Sequence, residues 1–300
     1  MSFWKLSVGD WVFASKRTRF FSFEEQFALK EIVRRISEIG LDGIDFLVTD
    51  ANDWNGQRIA ETRNLVKSAG LEVISVSPDI WSSWPFGSLV NPSRKERLRV
   101  VRHVKETAAI GKQLGAKLLN VWPGSDSMIS PKGESYWTIW DRFVKSVAEC
   151  VDNASDEGLK VTVEYKLRDP AEFQILNNSD TFMRLAESIR SSKLGACLDT
   201  GHAIQCREHL PSVVNKLAKW LFHVHLDDNY GDWDDDLPPG YVHDFSQFFK
   251  ALRMVNYRGY LMFDLFPLVD PFGEVRRSKE YVQTVCSRIR SGKTWLKRRR

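Results

Sequence analysis

Four side chains able to ligate a metal close short apolar runs in the second half of this 300-residue chain. They are Glu164 in Val-Thr-Val-Glu, Asp199 in Ala-Cys-Leu-Asp, His225 in Phe-His-Val-His and Asp264 in Leu-Met-Phe-Asp. A single acid at a strand end is usually a helix cap or a salt-bridge partner. Four such residues at the corresponding ends of successive runs are harder to assign to capping. Their separations of 35, 26 and 39 residues each amount to about one strand–helix unit. Three carboxylates with one imidazole suit Mn²⁺, Mg²⁺ or Co²⁺ better than a thiolate site would. His223, two residues before His225, shares its strand face one layer deeper and reads as a core or supporting histidine.

For these four groups to meet, their strands must run parallel and lie side by side. The chain reads that way. Strands are predicted over Lys5–Val8, Gly43–Val48, Glu72–Ser77, Lys117–Trp122, Lys160–Glu164, Leu194–Asp199, Leu221–Leu226 and Tyr260–Asp264. Between them the apolar spacing turns helical. The capping box Ser22-Phe-Glu-Glu25 opens a helix stopped at Gly40, and Asn91-Pro92 opens one that runs to about Leu114. Further helices are predicted over Arg58–Ala69, Tyr136–Glu157, Ser179–Ser192, Leu210–Trp220, Phe245–Val255 and Val275–Arg290. Short all-apolar strands belong in a parallel sheet buried on both faces. About eight such units without a linker fit a closed α/β (β/α)8 TIM barrel over residues 1–290, followed by a basic tail over 291–300 that is expected to be mobile. The open dinucleotide-binding alternative needs a glycine-rich first turn, and Gly9-Asp10-Trp11-Val12 does not supply one.

Composition narrows the partners. At 43% hydrophobic and 27% charged, the chain is neither collagen-like, disordered nor membrane-dominated. No run of 18 apolar residues occurs, so no membrane span is expected. The start, Met1-Ser2-Phe3-Trp4-Lys5, lacks a cationic segment followed by an apolar one, so no secretory signal is expected. The net charge is +4, but Lys293, Lys297, Arg298, Arg299 and Arg300 lie in the last eight residues. Setting those five aside leaves 38 basic against 39 acidic residues, which offers no electrostatic footprint for nucleic acid. Cys150, Cys197, Cys206 and Cys286 show no paired spacing, so a reduced, cytoplasmic protein is expected.

The segments Val-Glu164-Tyr-Lys166, Leu-Asp199-Thr-Gly-His202, Phe-His-Val-His225-Leu-Asp-Asp-Asn229, Asp234-Asp-Asp236-Leu-Pro-Pro-Gly240 and Phe-Asp264-Leu-Phe-Pro267 resemble the xylose isomerase-like TIM barrels. That superfamily holds sugar isomerases, ketose 3-epimerases, inosose dehydratases and apurinic-site endonucleases. The resemblance implies that Glu164, Asp199, His225 and Asp264 hold one divalent ion, Mn²⁺, Mg²⁺, Co²⁺ or Zn²⁺. It also implies that Lys166 polarises a substrate oxygen. Asp199, His202, Asp234 and Asp236 match positions that bind a second ion in two-metal members; alternatively His202 touches substrate and the acidic run is a loop. Two departures stand out. Asp264 replaces the glutamate of most epimerase-type members, and Leu47-Val-Thr-Asp50 lacks the catalytic histidine of xylose isomerase itself. The endonuclease branch needs further histidines where this chain has Ser75-Val-Ser-Pro78 and Asn120-Val-Trp-Pro123.

Trp11, Trp81, Trp84 and Trp122 fall near strand ends, and Trp122 is the one expected to stack on a sugar. Arg168 is expected to bind substrate oxygens or a carboxylate. The implied reaction is isomerisation or epimerisation of a small sugar through a metal-stabilised enediolate, with Glu164, Asp264, Lys166 and His202 moving protons or stabilising charge. Two alternatives remain open: β-elimination from an oxidised sugar or C-glycoside, which implies a partner subunit, and a non-catalytic sugar-binding barrel. A homo-oligomer is expected, without nucleic-acid or membrane partners.

Overall fold

The computed structural model describes residues 2–14, 27–85, 87–130, 132–169, 172–266 and 269–291. Eight parallel strands close into a barrel: β1 (Leu6–Gly9), β2 (Gly43–Val48), β3 (Glu72–Pro78), β4 (Leu118–Val121), β5 (Lys160–Glu164), β8 (Leu194–Asp199), β9 (Leu221–Leu226) and β10 (Leu261–Phe263). The last strand pairs with the first, Leu6 opposite Leu261. Two short strands, β6 (Arg168–Asp169) and β7 (Glu172–Phe173), form a small hairpin after β5 that the sequence pattern does not announce.

Outside the barrel lie α1 (Leu29–Ile39), α2 (Gly56–Ser68), α3 (Arg94–Leu114), α4 (Tyr136–Asp156), α5 (Ser179–Ile189), α6 (Thr200–Gln205), α7 (Leu210–Leu217), α8 (Ser246–Met254) and α9 (Pro271–Arg290). Their apolar stripes seal against the strands; α1, for example, buries Ile32, Val33, Ile36 and Ile39, and ends at Gly40 with φ 81°. No helix among the described residues is long and apolar enough to cross a membrane.

The Ser22–Glu25 capping box lies outside the described residues, as does the tail beyond Ser291. Asn91-Pro92 does not open α3. The Asn91 carboxamide accepts the Ser93 N–H at 2.9 Å, a local turn, and Ser93 becomes the cap by accepting the Glu96 N–H.

The barrel interior is unusually polar. Inward positions carry Ser7, Asp45, Ser75, Asn120, Thr162, Cys197 and His223, all buried, where aliphatic layers are the rule. His223 sits here as expected, with Nε2 3.3 Å from Asp45 Oδ1, which also accepts from Ser75 Oγ at 2.7 Å.

Candidate active site

Register and the two-residue period of a strand bring the four strand-tip groups together. Asp199 pairs across from His225, and Glu164 pairs across from Cys197, two residues below Asp199 on the same face. One donor atom from each of Glu164, Asp199, His225 and Asp264 lies within 4.8 Å of the others. His225 Nδ1 stands 3.1 Å from Asp264 Oδ2, 3.3 Å from Glu164 Oε2 and 3.9 Å from Asp199 Oδ2. Yet neither nitrogen of this buried ring makes a hydrogen bond of good geometry. Donor atoms this close and poorly aligned with one another are what a shared central ligand requires.

Burial and neighbouring charge act in opposite senses on three of these groups. Burial would raise the Glu164 carboxyl, but His225 and His202 beside it outweigh burial and hold it well below the usual range. Asp199 is pushed up to about 7 by burial, opposed by His202 and reinforced by Glu164. Burial works against the charged form of His225, and Cys197, Glu164 and Asp264 beside it more than reverse it.

Each ligand-type residue is braced. Asn120 Nδ2 donates to Glu164 Oε2 at 2.9 Å, and Thr162 Oγ1 donates to Asn120 Oδ1 at 2.8 Å, which fixes the amide's orientation. Trp11 Nε1 donates to Asp264 Oδ1 at 2.7 Å. Asp199 Oδ1 accepts the His202 N–H at 2.7 Å and caps α6. The capping role of a strand-end acid and its place in the cluster therefore coexist in one residue.

The turn of α6 swings His202 back over the cluster. Its Nδ1 is 3.2 Å from Glu164 Oε1, and its Nε2 is 3.2 Å from Asp234 Oδ2. Lys166 lines the pocket with Nζ 2.9 Å from Asp234 Oδ2, so its expected substrate-facing charge is engaged by that acid. Asp236 gathers with Asp234 and with Asp227, whose ligand atoms also lie within 4.8 Å of one another. Asp227 also closes on the turn that opens α6. Its Oδ1 accepts the Gly201 N–H at 2.9 Å, and a Cβ at position 201 would run into its carboxylate.

The pocket above is walled by Trp11, Trp81, Trp122 and Trp233, with Leu47 and Ile80 between them. Trp122 packs at 6.5 Å from the His202 ring and 5.8 Å from Trp81, under the Lys166 ammonium. Trp84 is outside the pocket, against His103 at 6.0 Å. Arg168 does not line the pocket: its Nη2 donates to the Asp232 carbonyl at 2.7 Å, tying the hairpin to the acidic loop. Asp50, at the end of Leu47-Val-Thr-Asp50, accepts the Asn52 N–H and caps a 3₁₀ turn. Cys206 Sγ donates to the Asn177 carbonyl, and burial pushes its thiol up.

Of the supporting residues, Asn120, Trp233 and Asp227 carried no sequence signal that separated them from ordinary loop or core positions. Trp11 was visible only as one of several tryptophans near strand ends.

Residues 33–284 match the sequence profile of the xylose isomerase-like TIM barrel. The chain belongs to that family. Among curated relatives of this barrel, it is 28% identical over 192 residues to a probable sugar isomerase of Rhizobium meliloti, covering 61% of this chain and 42% of the relative. It is 31% identical over 121 residues to the ketose 3-epimerase of Arthrobacter globiformis, covering 40% of each. The chain thus spans about two-fifths of the length of these relatives. Among solved structures, an L-ribulose 3-epimerase superposes with a TM-score of 0.80 at 16% identity, over 99% of both chains. The 3-keto-D-glucoside 4-epimerase of E. coli superposes with a TM-score of 0.76 at 20% identity, over 94% of this chain and 99% of that one. At such identities the likeness is one of fold.

Proposed function

We propose that this barrel is a divalent-metal-dependent sugar isomerase or epimerase, with the ion held by Glu164, Asp199, His225 and Asp264. One observation carries the reading: four oxygen and nitrogen donors from four adjacent strands converge within 4.8 Å, and Glu164, His225 and Asp264 among them line a tryptophan-walled pocket. The hard, oxygen-rich set with a single imidazole suits Mn²⁺, Mg²⁺, Co²⁺ or Zn²⁺. A bound ion supplies Lewis acidity, polarising a sugar carbonyl and offsetting negative charge as the neighbouring C–H proton leaves.

The chain's own groups do the rest. Glu164, kept ionised by the two histidines and steered by Asn120, takes the proton from the carbon beside the carbonyl. Asp264, held by Trp11, is the second acid at the same centre. Lys166, Asp234 and His202 form a connected run of donors and acceptors along the wall, suited to passing a hydroxyl proton. The engagement of Asp234 by Lys166 and His202 supports one ion rather than two. The tryptophans offer flat surfaces to the C–H faces of a sugar. Returning the proton to the neighbouring carbon gives isomerisation; returning it to the opposite face gives epimerisation.

The test is a Mn²⁺-loaded incubation in deuterium oxide with a panel of ketoses, aldoses and keto-glycosides. Label next to the carbonyl without loss of a group is expected, and Glu164→Gln is expected to lower that exchange at least a thousandfold with the circular dichroism unchanged. Loss of a substituent would make the protein a lyase. No exchange with any of these sugars would refute the assignment.

A further inference from the structure

At the mouth of the barrel opposite the active-site pocket, the beginnings of β4, β5 and β8 and the segment entering β10 border a cavity of about 520 Å³. Lys117, Lys160, Lys193 and Arg258 all line it, and no carboxylate side chain does. Among the described residues none of these four cations forms an ion pair. The backbone register sets the three lysines side by side. Lys160 N donates to the Lys117 carbonyl at 3.1 Å, and Val161 N donates to the Lys193 carbonyl at 2.8 Å. Lys160 Nζ also lies 4.6 Å from the centre of the Phe222 ring, which lines the same cavity.

Basic residues just beyond helix C-termini ordinarily complement the negative ends of the helices. Here the backbone already closes those ends. The Ala116 N–H reaches the Gly111 carbonyl after α3, the Leu159 N–H reaches Ala154 after α4, the Arg190 N–H reaches Ala186 after α5, and the Tyr257 N–H reaches Leu252 after α8. The four cations are therefore surplus to capping. Like charges gathered in a concave surface without acids among them repel one another until an anion enters.

The structure assigns to this cavity a binding site for a small multivalent anion of the phosphate type, separate from the sugar pocket. Its concavity suits a compact molecule better than a flat lipid surface or a nucleic-acid duplex. Calorimetric titration of the full chain with inorganic tripolyphosphate tests it, with sodium sulfate at matched ionic strength as the comparison. Saturable one-to-one binding is expected, at least tenfold tighter for tripolyphosphate than for sulfate. The double variants K160E/K193E and K160Q/K193Q are expected to weaken it at least tenfold with unchanged circular dichroism, whereas K95E/K105E on exposed α3 positions leaves it intact. The proposal is overturned by wild-type affinity in both cavity variants, by equal loss in the α3 variant, or by the absence of saturable binding.

Discussion

Trp11 and Asp264 are 253 residues apart in sequence and 2.7 Å apart in space, and the indole N–H leaves Asp264 with one oxygen, Oδ2, turned toward His225. Groups that orient a ligand carboxylate typically contribute about 10–100-fold to metal affinity. Trp11→Phe keeps an aromatic ring in the pocket wall and removes only the donor. Mn²⁺ affinity measured by calorimetry is therefore expected to fall about 10–100-fold, with the metal-free melting temperature nearly unchanged; wild-type affinity would show that the indole does not set the Asp264 carboxylate. The strand-tip acids were legible because each terminates an apolar run at one βα spacing. Trp11 and Asn120 were not, because an indole or an amide acquires its meaning only from what stands opposite.

At the scale of elements, the connection from β3 to α3 carries Asp79, Ile80 and Trp81 into the pocket wall, and it is pinned further along by Asp126. That buried carboxylate accepts from Ser88 N at 2.6 Å, Ser88 Oγ at 2.8 Å, Leu89 N at 2.9 Å and Val90 N at 3.3 Å. Burial nevertheless pushes it up to about 6, from an ordinary 3.8, with the Ser88 bonds pulling the other way. The folded state therefore holds the proton more tightly than the unfolded chain. The stability linked to it is complete below about pH 4 and is lost as pH rises through 6. Between pH 5 and 7.5 the wild type is expected to lose roughly 1.4 kcal/mol relative to Asp126→Asn, read from urea denaturation of both proteins. A difference that stays flat across that range would place the carboxyl near its ordinary value. Helix α6 teaches a related lesson: the pattern announced Asp199 at a strand end, yet not the single turn it caps, which is too short to show a period and is what brings His202 to Glu164.

For the molecule as a whole, closing the barrel gathers three carboxylates around one imidazole, and this arrangement is costly without a counter-cation. Binding to the folded state alone should therefore stabilise the entire chain. Mn²⁺ at one hundred times its dissociation constant is expected to add about 2.7 kcal/mol, visible as a rise of several degrees in melting temperature that a chelator reverses. A melting temperature indifferent to Mn²⁺, Mg²⁺, Co²⁺ and Zn²⁺ would remove the cation from the account of this site.

The sequence by itself determined the parallel barrel, its approximate strand and helix order, and the four groups at the strand tips, since period and punctuation are local properties of the chain. Only the tertiary structure decided what those groups face. It set Lys166 against Asp234, turned Arg168 toward the Asp232 carbonyl, filled the barrel axis with Asp45 and His223, and drew four cations to the far mouth. These relations arise from ring closure and strand register, which join residues as far apart as Leu6 and Leu261, and no window along the chain contains both partners.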